Sequence, residues 1–295
     1  MKHVSDLLDA KTRAALVRIQ QGIEARGQRA QANPQSAKIV QLPLWPEPAR
    51  GVPNSALRGA LFAAIQGKDR QALKRELLAV QSGVEIRFTG WQLDQSDLDV
   101  WEQALHLARQ HPLGTRCEFS ANGFLKALGR RTGKSDHEWL KDVFARLAGA
   151  VAEIMHDRKT YFGPLIEGGV RDEITRRYVL EINPQLARLY AAGWTACDWA
   201  QRQQLRGKPL ALWLHGFYAS HADPHPLKLE TLHHLSGSRN KQAAGFKRYL
   251  KAALADLQTT GAIRDFEISK DGRVTVDRTP SRSQQKHLRK AKPRK

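Results

Sequence analysis

The sequence predicts a mainly α-helical fold with small β-hairpins (α+β), laid out as two tandem winged-helix domains. Three observations carry that expectation. Residues 210–276 run helix, helix, polar turn, basic helix and basic hairpin, the order of a winged helix-turn-helix. A looser version of the same order recurs upstream. The 295-residue chain also holds 48 Lys and Arg against 29 Asp and Glu, a net charge of +19. Positive charge on this scale calls for a polyanionic partner.

Taken in order, Val4, Leu8, Ala15, Ile19 and Ile23 recur at helical spacing, so residues 4–30 predict one amphipathic helix, and a polar linker extends to 40. Pro43, Pro46 and Pro48 keep 41–50 extended. The first winged-helix domain is expected over 51–195. It opens with a short helix at 54–65, then a hairpin of 76–80 and 84–89 around Gln81 and Gly83. Helix 97–110 carries Leu98, Trp101, Leu105 and Ala108 on one side, with Ser96 as its cap and Pro112 as its stop. After an extended piece at 117–119, Ser120 caps a helix to about 128. A glycine-rich basic turn then leads to helix 135–150, where Ser135 and Glu138 have capping-box spacing. Extended segments follow at 151–156, 161–166 and 174–182, and a helix at 184–192 links the domains.

The second domain, 196–277, contains helices at 210–220 and 227–235, a third to about 258, and a hairpin of 262–266 and 273–276. Residues 278–295 hold eight Lys or Arg and no acid, with no apolar periodicity. They are expected to be a disordered cationic tail.

In the second domain Phe246, Leu250, Leu254 and Leu257 share one stripe, and Lys241, Arg248 and Lys251 fall on the other side. Arg and Lys there can donate to guanine or phosphate in a major groove. Arg239 and Asn240 stand at the helix entrance, and Lys270 and Arg273 on the wing. In the first domain the cations crowd the entrance instead: Arg130, Arg131 and Lys134, with Ser135 beside them and Lys141 about two turns on, on the outer side. Arg158 and Lys159 are its predicted wing contacts.

Other chemistries are poorly served. The run Gly129 to Ser135 resembles a phosphate loop, but one residue is missing between its glycines and a helix, not a strand, precedes it. The cluster His215, His221, His225, His233 and His234 lacks a nearby cysteine for a zinc site. No nucleophile–base pair is evident, so no enzyme activity, cofactor or metal is expected. Cys117 and Cys197 are too few for a disulfide framework. No apolar run approaches the ~20 residues of a spanning helix, and no signal-peptide core follows Met1. A cytoplasmic protein without a membrane partner is the expectation.

Gln41, Leu42, Leu44 and Trp45 match the pattern of short peptides that dock on bacterial sliding clamps: a polar anchor, then leucines and an aromatic for an apolar pocket. Pro43 lowers the ordering cost. The null arrangement has Leu44 and Trp45 packing on the first domain.

The chain resembles the TrfA family of plasmid replication initiators. The likeness is densest where Ser220 and His221 lead through Pro224 and Pro226 to Leu227, Lys228, Leu229, Glu230 and Thr231. It continues through Gly237, Ser238, Phe246, Leu257 and Gly261, and includes Pro53, Asn54, 88–90, 101–103, 112–114, Arg146 and Leu147, covering roughly 41–265. The resemblance implies two winged-helix domains on repeated double-stranded origin sites (iterons), opening of AT-rich DNA, and recruitment of the host initiator and replicative helicase. It also implies a monomer–dimer equilibrium that bears on plasmid copy control, and a sliding-clamp peptide at 41–45, here with Trp45 where phenylalanine is usual. The rivals are a tandem winged-helix transcriptional repressor, which needs no clamp, and a nucleotide-driven enzyme built on 129–135.

Overall fold

The computed structural model describes residues 42–291 apart from Ser82, residues 112–114 and Lys241. The predicted amino-terminal helix and linker, Gln41 and Lys241 lie outside the described residues.

The proline-rich strap 42–48 is extended, as its backbone chemistry requires, and leads into β1 (Ala49–Pro53). A single turn, α1 (Asn54–Leu57), follows, shorter than the predicted 54–65. At Gly59 a Cβ would lie 2.5 Å from the Ala79 carbonyl, and the chain turns there into β2 (Phe62–Ala63). β3 (Ala72–Leu78) and β4 (Val84–Trp91) make the expected hairpin, turning through Gly83 at φ +91°. β5 (Leu93–Asp94) runs parallel to β2 and opens α2 (Gln95–Ala108). Asp94, not the predicted Ser96, caps this helix: its carboxylate accepts from the N–H groups of Ser96 (2.9 Å) and Asp97 (3.1 Å). Asp97 in turn accepts from the Asp94 N–H (3.0 Å).

β6 (Arg116–Ser120) and α3 (Ala121–Ala127) follow, with Ser120 Oγ accepting from the Gly123 N–H as expected. The next helix, α4 (Lys134–Gly149), starts after Gly133, so the Ser135–Glu138 capping box does not form. β7 (Val151–His156) and β8 (Lys159–Gly163) form a hairpin, and β9 (Gly168–Arg171) and β10 (Arg177–Glu181) form a second. These hairpins join different sheets. β7–β8 extends β3–β4 into a four-stranded antiparallel sheet, whereas β10 pairs with β6 in the order β6–β10–β9. Arg158 and Lys159, predicted as wing residues, therefore sit on a turn of the four-stranded sheet. The strand that pairs with β6 belongs to the later hairpin.

A turn of 3-10 helix and α5 (Ala187–Ala191) lead to β11 (Trp194–Asp198), which pairs along its whole length with β1, from Ala49↔Asp198 to Pro53↔Trp194. After α6 (Trp199–Gln204), the second unit contains α7 (Pro209–Ala219), β12 (Leu227–Lys228), α8 (Leu229–Ser236), α9 (Ala243–Thr259), β13 (Asp265–Ile268) and β14 (Arg273–Asp277). Its sheet order, β12–β14–β13, repeats that of β6–β10–β9. In both units a strand between two helices (β6 between α2 and α3, β12 between α7 and α8) pairs with the second strand of the later hairpin. The first unit differs by the β7–β8 insertion. Beyond β14, Arg282–Ala291 is a helix, α10, where composition predicted a disordered tail.

Apart from Ala64, which joins the second, the two apolar cores divide between Trp199 and Leu205. Trp101 anchors the first beside Phe62, Phe88 and Leu105, and its indole N–H donates to the Leu165 carbonyl at 2.9 Å. Phe217, Leu232, Phe246, Leu250 and Leu254 make up the second, as the helical stripe predicted. Polar ties cross between them. Trp213 Nε1 donates to the Gly59 carbonyl (3.0 Å), Arg58 to Ser220, and the Ala64 N–H to the Ser236 carbonyl (2.7 Å).

Candidate nucleic-acid interface

The long helix of the second unit is held by its apolar side. Phe246, Leu250 and Leu254 are buried, so the 100° turn per residue directs Arg248 and Lys251 to solvent, with Lys247 on the flank. Only one acid lies in α9, Asp256, and Lys208 neutralises it at 2.6 Å. The Arg248 guanidinium rests 5.5 Å from the half-exposed Tyr249 ring, which restricts its rotamers. Lys247 was not singled out from sequence, because the wheel puts it nearer the edge than the middle of the outward side.

The entrance to α9 is built from hydrogen-bonding side chains. Gly237 ends α8 in the left-handed region (φ +62°), and a Cβ there would lie 3.0 Å from those of Ala60 and Ala63. Asn240 Oδ1 accepts from the Gln242 N–H (3.3 Å), and the same side chain covers Gly245, where a Cβ would meet it at 2.9 Å. Asn240 thus shapes the first turn of α9. Arg239 is exposed, but its Nη2 donates to Gln92 Oε1 of the first unit at 2.7 Å. On the β13–β14 hairpin Lys270 is exposed. Arg273 is exposed too, and pairs with Asp271 at 3.0 Å; hydrogen bonds from Ser269 and then Arg273 hold that carboxyl below its usual range.

The first unit uses its cations differently. Arg130 is an internal staple: its guanidinium lies 3.6 Å above the Trp139 ring and donates to Asp136 at 3.0 Å. Arg131, Lys134 and Ser135 remain exposed at the mouth of α4. Lys141 donates to Glu138 at 2.8 Å, and this bond lowers the Glu138 carboxyl. Arg146 is spent on the buried Asp97 at 2.7 Å, so the outward side of α4 is nearly neutral where that of α9 is basic.

Between α4 and the β9–β10 hairpin lies an open recess of ≈320 Å³. Lys134 and Lys141 face Arg171 and Arg176 across it, with Glu138 and Glu173 as its acids. Hydrogen bonds to Tyr178 and Glu173 raise the Arg171 pKa further, so it stays charged. Arg171 and Arg176 were missed because 174–182 reads as one extended segment. The overlooked signal is Asp172, whose carboxylate accepts from the N–H groups of Ile174 and Thr175 (2.8 Å each) and makes a turn there. The structure therefore gathers Arg131, Lys134 and Ser135 at the mouth of one helix with Lys141 further along it, and Arg239, Asn240, Arg248 and Lys251 along another. Arg158 and Lys159 are exposed at the β7–β8 turn and join neither group.

In the strap, Leu42 and Trp45 are buried and Leu44 is 76% exposed. Trp45 stacks on Tyr190 (6.0 Å, 7°), and its Nε1–H donates to His106 Nδ1 at 3.0 Å. That bond fixes the neutral tautomer of His106, whose Nε2–H donates to Glu47 at 2.8 Å. Arg109 also donates to Glu47 (2.6 Å). The bonds from Arg109 and His106 draw the Glu47 carboxyl down to about 2, and burial takes His106 to about 4. No metal-binding cluster and no helix long and apolar enough to cross a membrane occurs among the described residues.

The profile of one protein family, described as TrfA protein, matches residues 13–275. The plasmid replication initiator protein TrfA of Escherichia coli is 26% identical over 251 residues, covering 80% of this chain and 65% of that protein. The chain thus spans just under two thirds of that relative. Among solved structures, domains 2 and 3 of RctB superpose with a TM-score of 0.52 at 13% identity, over 76% of this chain and 95% of theirs. That likeness is one of fold alone.

Proposed function

Since this chain belongs to the TrfA family, we propose that it is a plasmid replication initiator whose two winged-helix units hold one duplex at repeated origin sites. The observation that carries the DNA reading is α9: Lys247, Arg248 and Lys251 are exposed, and the helix's one acid is neutralised by Lys208. In this reading α9 lies in a major groove, and the cations at the mouth of α4 with Arg171 and Arg176 clamp the neighbouring backbone. The protein acts in the cytoplasm as a DNA binder rather than an enzyme.

Titration of duplexes carrying directly repeated ~20-base-pair sites from beside the gene, against random duplex, tests the proposal. With about eight phosphates neutralised, the log–log salt slope is expected near −7. Arg248→Ala is expected to weaken the repeated site by ~1–3 kcal/mol and random duplex less. Equal losses would make Arg248 a phosphate contact, and absence of duplex binding at low salt would end the proposal.

Recruitment of the host initiator and helicase, and monomer–dimer control, come into the proposal from the family likeness. Clamp docking by 41–45 requires the strap to leave its seat, since among its described apolar anchors Leu42 and Trp45 are buried and only Leu44 is exposed. The buried Trp45 is the observation that favours the repressor reading, which has no need of a clamp. Replication of an origin plasmid dependent on this protein distinguishes the two.

A further inference from the structure

We propose that α10, the basic helix after the last wing strand, is a third DNA-contacting element that grips phosphates outside the two winged-helix units. This rests on the DNA-binding reading above but adds a surface to it. The family profile ends at residue 275, so the helix at 282–291 lies beyond what the family shares.

Its placement begins with Arg278, whose guanidinium is half withdrawn from water and donates to the His221 carbonyl (2.6 Å) and to Gln284 Oε1 (3.0 Å). Burial lowers the pKa of this arginine, which serves as an anchor. Gln284 Nε2 then donates to the Ala219 carbonyl at the end of α7 (2.8 Å). One turn on, Leu288 lines a recess of ≈650 Å³ together with Arg58, Trp194, Thr195 and His221. The inward side is thereby settled, and helical periodicity settles the outward one.

Arg282, Lys286 and Arg289 stand at i, i+4 and i+7, on one stripe, and all three are exposed. No acid occurs anywhere in residues 278–295. At 1.5 Å per residue the stripe is about 10 Å long, matching about three successive phosphates of one strand at 3.4 Å each along the duplex axis. A membrane-surface helix needs an apolar side free to enter lipid. Here the apolar Leu288 is turned into the recess, leaving only cations to face a partner. A helix with this division of labour suits a rigid polyanion.

The test uses the full chain and the variant Arg282→Gln/Lys286→Gln/Arg289→Gln, titrated with repeat-containing and random duplexes from about 50 to about 200 mM salt. The salt slope is expected to become shallower by about 2.7, or 0.9 for each lost contact, equally on both duplexes. The preference for the repeated site and the thermal midpoint should stay unchanged. A variant that keeps the wild-type slope overturns the inference while leaving the DNA-binding reading in place. So does a variant that loses binding to phosphatidylserine vesicles with its DNA slope intact. A wild-type chain that ignores duplex altogether overturns the underlying reading as well.

Discussion

Arg202 is enclosed where three helices cross. Its Nε donates to Asp99 at 2.6 Å, and its Nη atoms to the carbonyls of Leu212 and Gln95 (3.2 Å each), tying α6 to α2 and α7. Glu102 lies 3.5 Å away with no hydrogen bond to either carboxylate oxygen, and burial pushes its carboxyl up to about 7. Removing the arginine strands two buried carboxylates, so Arg202→Met is expected to cost ~3–5 kcal/mol in urea unfolding. Adding Asp99→Asn and Glu102→Gln should recover part of that loss. Three wholly or partly buried histidines, of which His215 lies near Arg202, set the pH response. Burial holds His215 near pKa 3, and His106 and His221 near 4. Because these values lie below the unfolded 6.5, the neutral imidazoles stabilise fully above pH 6.5, and that contribution is lost as pH falls towards 4. Glu102 works in the opposite sense: its penalty grows as pH rises from 4.5 to 7. Asp94 and Asp99, which burial raises as well, act in the same sense as Glu102 and offset part of the histidine uptake between pH 6 and 5. Each histidine whose uptake is not offset should take roughly 1 kcal/mol from stability across that unit. Chemical denaturation at the two pH values checks the slope, and His215→Leu should reduce it by about one proton.

Among the elements, the turn between α8 and α9 is the most exacting. Gly237 combines a left-handed backbone with 3.0 Å approaches to Ala60 and Ala63, so both conformation and space exclude a side chain. Gly237→Ala is expected to cost ~1–3 kcal/mol and to lower the thermal midpoint by several degrees. Gly133, with nothing near its would-be Cβ and no left-handed φ, should tolerate alanine far better. The second unit was legible because its signals are local: a four-residue apolar stripe on α9, a glycine after α8, and a turn at Asp271 and Gly272. The closing hairpin of the first unit is hidden because β7–β8 intervenes, and the pairing of β10 with β6 spans about 60 residues that no local pattern reports. β11 and α6 were missed for the same reason, since β1 is the partner that makes β11 a strand. Composition predicts a tail at 282–291 because Leu288 is the one large apolar residue there. The order of α10 comes from side chains bonding to the exposed carbonyls at the end of α7. At the site, exposed Arg131, Lys134, Arg248 and Lys251 could be read from periodicity. That Arg130 and Arg146 are consumed internally could not, since Asp97 is remote in sequence from Arg146.

At the scale of the molecule, the described residues from Leu42 onward form one compact unit, so α4 and α9 are held at a fixed separation. Trp213, Arg58, Arg239 and Arg202 each reach from one core's elements to the other's. A ligand engaging both helices pays little to order them. The β1–β11 pairing has a further consequence for synthesis. Strand 49–53 leaves the ribosome some 140 residues before its partner, so the amino-terminal layer must wait, unclosed, while most of the first unit is translated. A fragment ending at 192 lacks the whole clasp and should expose Val52 and bind a hydrophobic dye. One extended to 205 should close over it, with protease resistance of the strap as the readout.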